Sequence, residues 1–151
     1  MLTLSEEIRQ CREGVVNNPF QGNDKRVLFV CSMGILRSAT GARLYADKFN
    51  TRSAGTWDDA LIPLTMKLIA WAHEIVFVNK QNYDGACAKF GDLNKNFEGT
   101  LRVLDIPDKY PHMDPNLIEA FDKQYYPSGY LERTRQKAGV PSTDNDQNRP
   151  D

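Results

Sequence analysis

The chain is poor in cysteine and histidine, and what it lacks narrows its chemistry. Three cysteines (Cys11, Cys31, Cys87) and two histidines (His73, His112) stand among 151 residues. An odd, sparse set of cysteines makes a poor disulfide framework. No C-x-x-C occurs and histidine is scarce, so no zinc site, and no other metal or cofactor, is expected. Long apolar runs are missing too. None approaches the roughly 20 residues that cross a bilayer, so no membrane partner is expected. Nor is there a surplus of one charge: 19 Lys and Arg face 20 Asp and Glu, for a net charge of −1. A nucleic-acid partner, which calls for a basic surplus, is not expected. The opening residues Met1 to Glu7 carry no basic stretch before an apolar core. A secretory leader is therefore not expected, and the cytoplasm is the expected compartment. Thiol chemistry at a single cysteine is the natural thing to look for.

What is present is an alternation of buried strands and helices. Residues 4–16 read as a short amphipathic helix with Ser5 as its cap, and 1–25 as an N-terminal extension. Val27-Leu28-Phe29-Val30 is a continuous apolar run of the kind buried on both faces of a sheet. Helices are expected over 38–49, over 63–72 with Pro63 near the start, over 81–90, and from Asn116 to Phe121 after an Asp114-Pro115 opening. Strands are expected at 50–54, 75–78 and 101–104. The order predicts a parallel four-stranded α/β sheet flanked by helices on both faces, a three-layer, Rossmann-like fold. The domain is expected over 26–138. Residues 139–151 are polar, hold Pro141 and Pro150, and read as a disordered tail.

The chemistry concentrates in Cys31-Ser32-Met33-Gly34-Ile35-Leu36-Arg37-Ser38. A cysteine closes a buried strand, five residues follow, and Arg-Ser opens a helix. Backbone N–H groups of such a loop converge on an anion, and the helix N-terminus adds its positive end. Arg37 supplies a planar fork that matches two phosphate oxygens. The same field favours the thiolate form of a cysteine placed there, which is the nucleophile. Ser38 can donate a hydrogen bond to that sulfur. Gly34 gives the backbone freedom where the loop curls. Ser32, Met33, Gly34, Ile35 and Leu36 are the expected wall of a phosphate-binding loop.

With these residues the chain resembles the low-molecular-weight protein tyrosine phosphatase family, whose loop is C-x5-R-S after the first strand. Arg52-Ser53-Ala54-Gly55-Thr56 looks like that family's S-A-G-T after the second strand. Trp71 to Val78 looks like its entry into the third strand. Asp105-Ile106-Pro107-Asp108-Lys109-Tyr110 looks like its acid loop. The likeness runs over about residues 26–121. It implies a cysteine-dependent phosphatase without a cofactor that hydrolyses phosphotyrosine or small aryl phosphates through a phosphocysteine. It implies Asp108 as general acid, with Asp105 as the rival or as a structural neighbour. Ser53 is expected to support the loop; Trp57 and Tyr110 could form aromatic walls around a phenyl ring, with ordinary packing the other reading for Trp57. Three positions depart from the family: Gly34 stands where Asn is common, Lys109 where Pro is usual, and Leu36 where many members have a second cysteine.

Other readings compete. An arsenate reductase on the same fold would pass oxidation from Cys31 to two further cysteines near 80–95, where only Cys87 is found. A phosphocarrier could hold a phosphocysteine in such a loop, but those proteins generally lack the arginine and the acid loop. A binding module could keep affinity for phosphate or a phosphopeptide without turnover. Trp71, His73, His112, Cys11 and Cys87 are expected to be core, surface or inert residues.

Overall fold

The computed structural model describes residues 3–6, 8 and 25–137. Four strands, β1 (Arg26–Cys31), β2 (Asn50–Gly55), β3 (Glu74–Phe77) and β4 (Thr100–Val103), form one sheet. All neighbours are parallel, in the order β2-β1-β3-β4. Six helices accompany them: α1 (Arg37–Leu44), α2 (Met66–Trp71), α3 (Lys80–Phe90), α4 (Leu93–Asn96), α5 (Pro115–Gln124) and α6 (Tyr130–Lys137). The expected fold class is the one observed.

The pleat of β1 sorts the core into two layers. Leu28 and Val30 point to one face, where Ala54, Ile69, Trp71, Ile75, Phe77 and Ala86 meet them beneath α2 and α3. Val27, Phe29 and Cys31 point to the other, onto Leu44, Tyr45, Leu117, Ile118 and Phe121 of α1 and α5 and the turn between α1 and β2. β1 and β3 are buried because they are central and covered on both sides; the edge strand β4 exposes Val103. The switch in strand order falls between β1 and β3, so the crevice at the carboxyl end of β1 is where this architecture receives ligands.

The helix boundaries correct several expectations. Thr65, not Pro63, starts α2: its hydroxyl accepts from Leu68 N at 3.2 Å. Pro63 instead lies alongside Gly55 in a parallel bridge. α1 stops at Leu44, and turns carry the chain over 45–48. α4, capped by Asp92, and α6 were not anticipated. Residues 4–6 and 8 are helical as expected, but Thr3 is the cap. Thr3 and Glu6 exchange side-chain to backbone bonds of 2.8 and 3.2 Å, a reciprocal box, whereas the Ser5 hydroxyl reaches Asn96. Ile8 is buried and Leu4 packs beside it on the α2–α3 layer. The rest of the expected helix over 4–16, Cys11, and the tail 139–151 lie outside the described residues. Among the described residues, no helix is long and apolar enough to cross a membrane, and no cluster of three or more His, Cys, Asp and Glu could hold a metal ion.

Candidate active site

β1 ends at Cys31 and α1 begins at Arg37, so the loop between them is anchored at both ends by core elements. Its backbone is folded against β2. A Cβ on Gly55 would lie 2.4 Å from Ser32 O and 2.5 Å from Met33 C, so only glycine lets the two backbones meet. Gly34 has φ +86°, and a Cβ there would come within 2.8 Å of Ile62 O. Glycine is thus required at Gly34 twice, by conformation and by space. The Ser53 hydroxyl donates to Gly34 O at 3.1 Å. Thr56 N donates to Cys31 O (2.9 Å) and Trp57 N to Ser32 O (3.0 Å), stitching the two loops together.

Inside this frame the reactive groups converge. Cys31 Sγ sits 3.0 Å from Ser38 Oγ and accepts from Gly34 N at 3.2 Å. Arg37 is 1 % exposed, an unusual fate for a guanidinium. Its Nη1 donates to Ile106 O (2.9 Å) and its Nη2 to Ser32 Oγ (3.2 Å). Its Nε lies 3.6 Å from Asp108 Oδ1, a charge contact rather than a hydrogen bond. α1 carries no side-chain cap and no acidic residue in its first turn, and among the described residues the amides of Met33, Ile35 and Leu36 donate to no backbone oxygen. A loop of unspent N–H groups at a helix N-terminus beside a buried arginine is chemically suited to receive an anion.

The structure brings Cys31, Ser32, Gly34, Arg37, Ser38, Ser53 and Asp108 together. Met33 and Ile35 are half-buried, and Leu36 turns outward. Trp57 is 51 % exposed at the rim, tied to the loop through its backbone. Tyr110 is half-buried against the α1–α5 layer, with the Lys109 ammonium 5.4 Å from its ring centre. Asp105 does not reach the Cys31–Arg37 loop in any contact; its backbone N and O pair with the Gln124 amide at 2.6 and 3.0 Å, which pins its own loop's root. Trp71 is core, its ring covered by Arg52. His73 accepts from Arg26 N, and His112 meets the Thr40 hydroxyl. Cys87 packs on the layer opposite to Cys31.

Two contributors escaped the sequence reading. The Ile106 carbonyl orients Arg37, and Asn82 reaches the loop from α3. Neither belongs to a motif. A backbone carbonyl leaves no sequence signal, and Asn82 reads as an ordinary first-turn residue behind the cap Asn79.

No family model matches this chain, and no curated protein matches it. Among solved structures, the thioredoxin-dependent arsenate reductase of Corynebacterium glutamicum aligns at 18 % identity and a TM-score of 0.45, over 89 % of this chain and 71 % of that one. The chemistry of the site rests on this chain's own residues.

Proposed function

We propose that this chain is a cysteine-dependent phosphatase that hydrolyses aryl phosphate monoesters, phosphotyrosine among them. The observation that carries the reading is the convergence of a thiol, a buried guanidinium and an exposed carboxylate on one loop. The phosphate's oxygens take the loop amides and the free N–H bonds of Arg37, which hold the charge that grows on them in the transition state. Cys31 sulfur attacks phosphorus as the bond to the aryl oxygen breaks. Asp108, entering as the acid, passes its proton to that leaving oxygen. Ser38 donates to the sulfur, which steadies it as attacker and again as leaving group. In the second step Asp108, now a carboxylate, takes a proton from water; the water oxygen attacks phosphorus and the S–P bond breaks, returning Cys31 and releasing inorganic phosphate. Trp57, exposed beside the loop, is taken as one aromatic wall for a phenyl ring, and Tyr110 of the acid loop as the other.

The reductase alternative needs a relay of cysteines. Cys87 belongs to the layer across the sheet, so it is poorly placed to receive oxidation from Cys31. Turnover of p-nitrophenyl phosphate in the presence of chelator tests the reading: hydrolysis should proceed unchanged by the chelator and vanish in Cys31→Ser. Absence of turnover by wild type that still binds phosphate would leave a binding module instead.

A further inference from the structure

Asn82 is 2 % exposed, on the first turn of α3, and its side chain points at the phosphate loop rather than along its own helix. Its backbone N is already taken by the Asn79 cap at 3.0 Å. Its Nδ2 lies 3.3 Å from Ser32 Oγ and 3.5 Å from Thr56 Oγ1, while Oδ1 is buried without a hydrogen-bond partner. A buried acceptor left unpaired costs stability, about 1–3 kcal/mol, which the two Nδ2 contacts must offset. The neighbours define the amide's direction. Thr56 Oγ1 gives its proton to Cys31 O at 3.5 Å and can only accept from Asn82. Ser32 Oγ receives Arg37 Nη2 at 3.2 Å from another side. Neither a guanidinium nor an amide NH2 can accept, so both lone pairs of the Ser32 hydroxyl are occupied by donors. Its proton is the one thing it has left to give.

From this geometry we infer that Asn82 is a positioning residue: together with Arg37 it locks the Ser32 hydroxyl as a donor directed at the bound oxyanion. The inference rests on the phosphatase reading only for the identity of the anion, a phosphate group. In wild type the hydroxyl arrives already turned, so no reorientation is needed when phosphate enters. Without Asn82, one lone pair of Ser32 is free and the hydroxyl can turn away or donate elsewhere.

The test is calorimetric titration of the full chain with inorganic phosphate. Asn82→Ala and Ser32→Ala should each weaken phosphate binding about tenfold, the size of one hydrogen bond to a charged group. Because Asn82 acts through Ser32, Asn82→Ala should add little in a Ser32→Ala background. Asn82→Asp, nearly the same shape, puts an acceptor where the donor was. Its carboxylate should capture the Ser32 proton, and binding should fall at least as far; this variant carries the test if Asn82→Ala does not fold. Unchanged phosphate affinity in the Asn82 variants, or losses that multiply in the double variant, would overturn the inference. A merely structural role would lower the melting temperature without that coupling. Wild type that binds phosphate but releases no nitrophenol would break the phosphatase reading and leave this inference standing. Wild type that turns over, with Asn82 variants indistinguishable from it, would break this inference alone.

Discussion

The loops that follow β1 and β4 meet at one point and are held in opposite ways. The first, from Cys31 to Arg37, is buried at both ends, forced through a positive φ at Gly34, and bonded to β2 through Ser53 and to the residues just after it through Thr56 and Trp57. The second, from Asp105 to Tyr110, is pinned at its root by Gln124 and by Ile106 N on Val78 O, but exposes Pro107, Asp108 and Lys109. Asp108 is 52 % exposed and, among the described residues, touches the site through the buried Arg37. The difference separates two tasks. The first loop must be built before the anion arrives, because stabilisation by fixed dipoles depends on their not having to reorganise. Under the proposed mechanism the acid must let substrate in and product out and then reach the leaving oxygen, a task that an exposed loop suits.

Breaking the rigid side should cost most. Arg37→Lys should lower kcat/KM by roughly 10²–10³, close to the loss in Arg37→Ala, because an ammonium cannot span two phosphate oxygens and also hold Ile106 O and Ser32. Steady-state kinetics on p-nitrophenyl phosphate decide this; a lysine variant near the wild-type rate would mean that charge alone matters.

The exposed side should show a different signature. Asp108→Asn should slow phenyl phosphate by about 10²-fold, with a smaller loss for esters of more acidic phenols, and leave phosphate affinity intact. An acid helps most when the leaving oxygen is basic, so the variant's rate should depend more steeply on the acidity of the leaving group than the wild type's does. Asp105→Asn, whose links to Gln124 are through the backbone, should do neither. Reversed behaviour of the two variants in the leaving-group dependence would exchange their roles.

A smaller effect sharpens the steric half of the comparison. Gly34→Ala should destabilise the fold by about 2–3 kcal/mol, since a Cβ meets Ile62 O at 2.8 Å in a conformation that alanine avoids. Denaturant melts measure it. An alanine variant as stable as wild type would show that the loop can yield.

Much of this was legible in the chain. The apolar runs of β1 and β3 announce central strands because both faces are covered. C-x5-R-S carries its own geometry, since strand, loop and helix follow one another locally. Asp114-Pro115 signals α5 through a cap that spans adjacent residues, and the Asp114 carboxylate does accept from Asn116 N. What was missed depends on contacts distant in sequence. Pro63 is held beside Gly55 by the sheet edge, which passes the helix start to Thr65. α6 has little apolar surface, and Tyr130 and Leu131 are placed by the α1–α5 layer rather than by pattern. Asn82 acquires meaning only when α3 is brought against Ser32, 50 residues away.

The central claim is a covalent bond between Cys31 and phosphorus. Asp108→Asn removes the base of the second step, and an acidic phenol such as p-nitrophenol leaves without much help from an acid, so the intermediate should accumulate in that variant. Acid quench during turnover of p-nitrophenyl phosphate, followed by mass spectrometry of the digested protein, should find one phosphoryl group on the peptide that contains Cys31, and none in a Cys31→Ser, Asp108→Asn double variant. Steady release of nitrophenol with the Cys31 peptide unmodified, or a phosphoryl group on any other residue, would contradict the account.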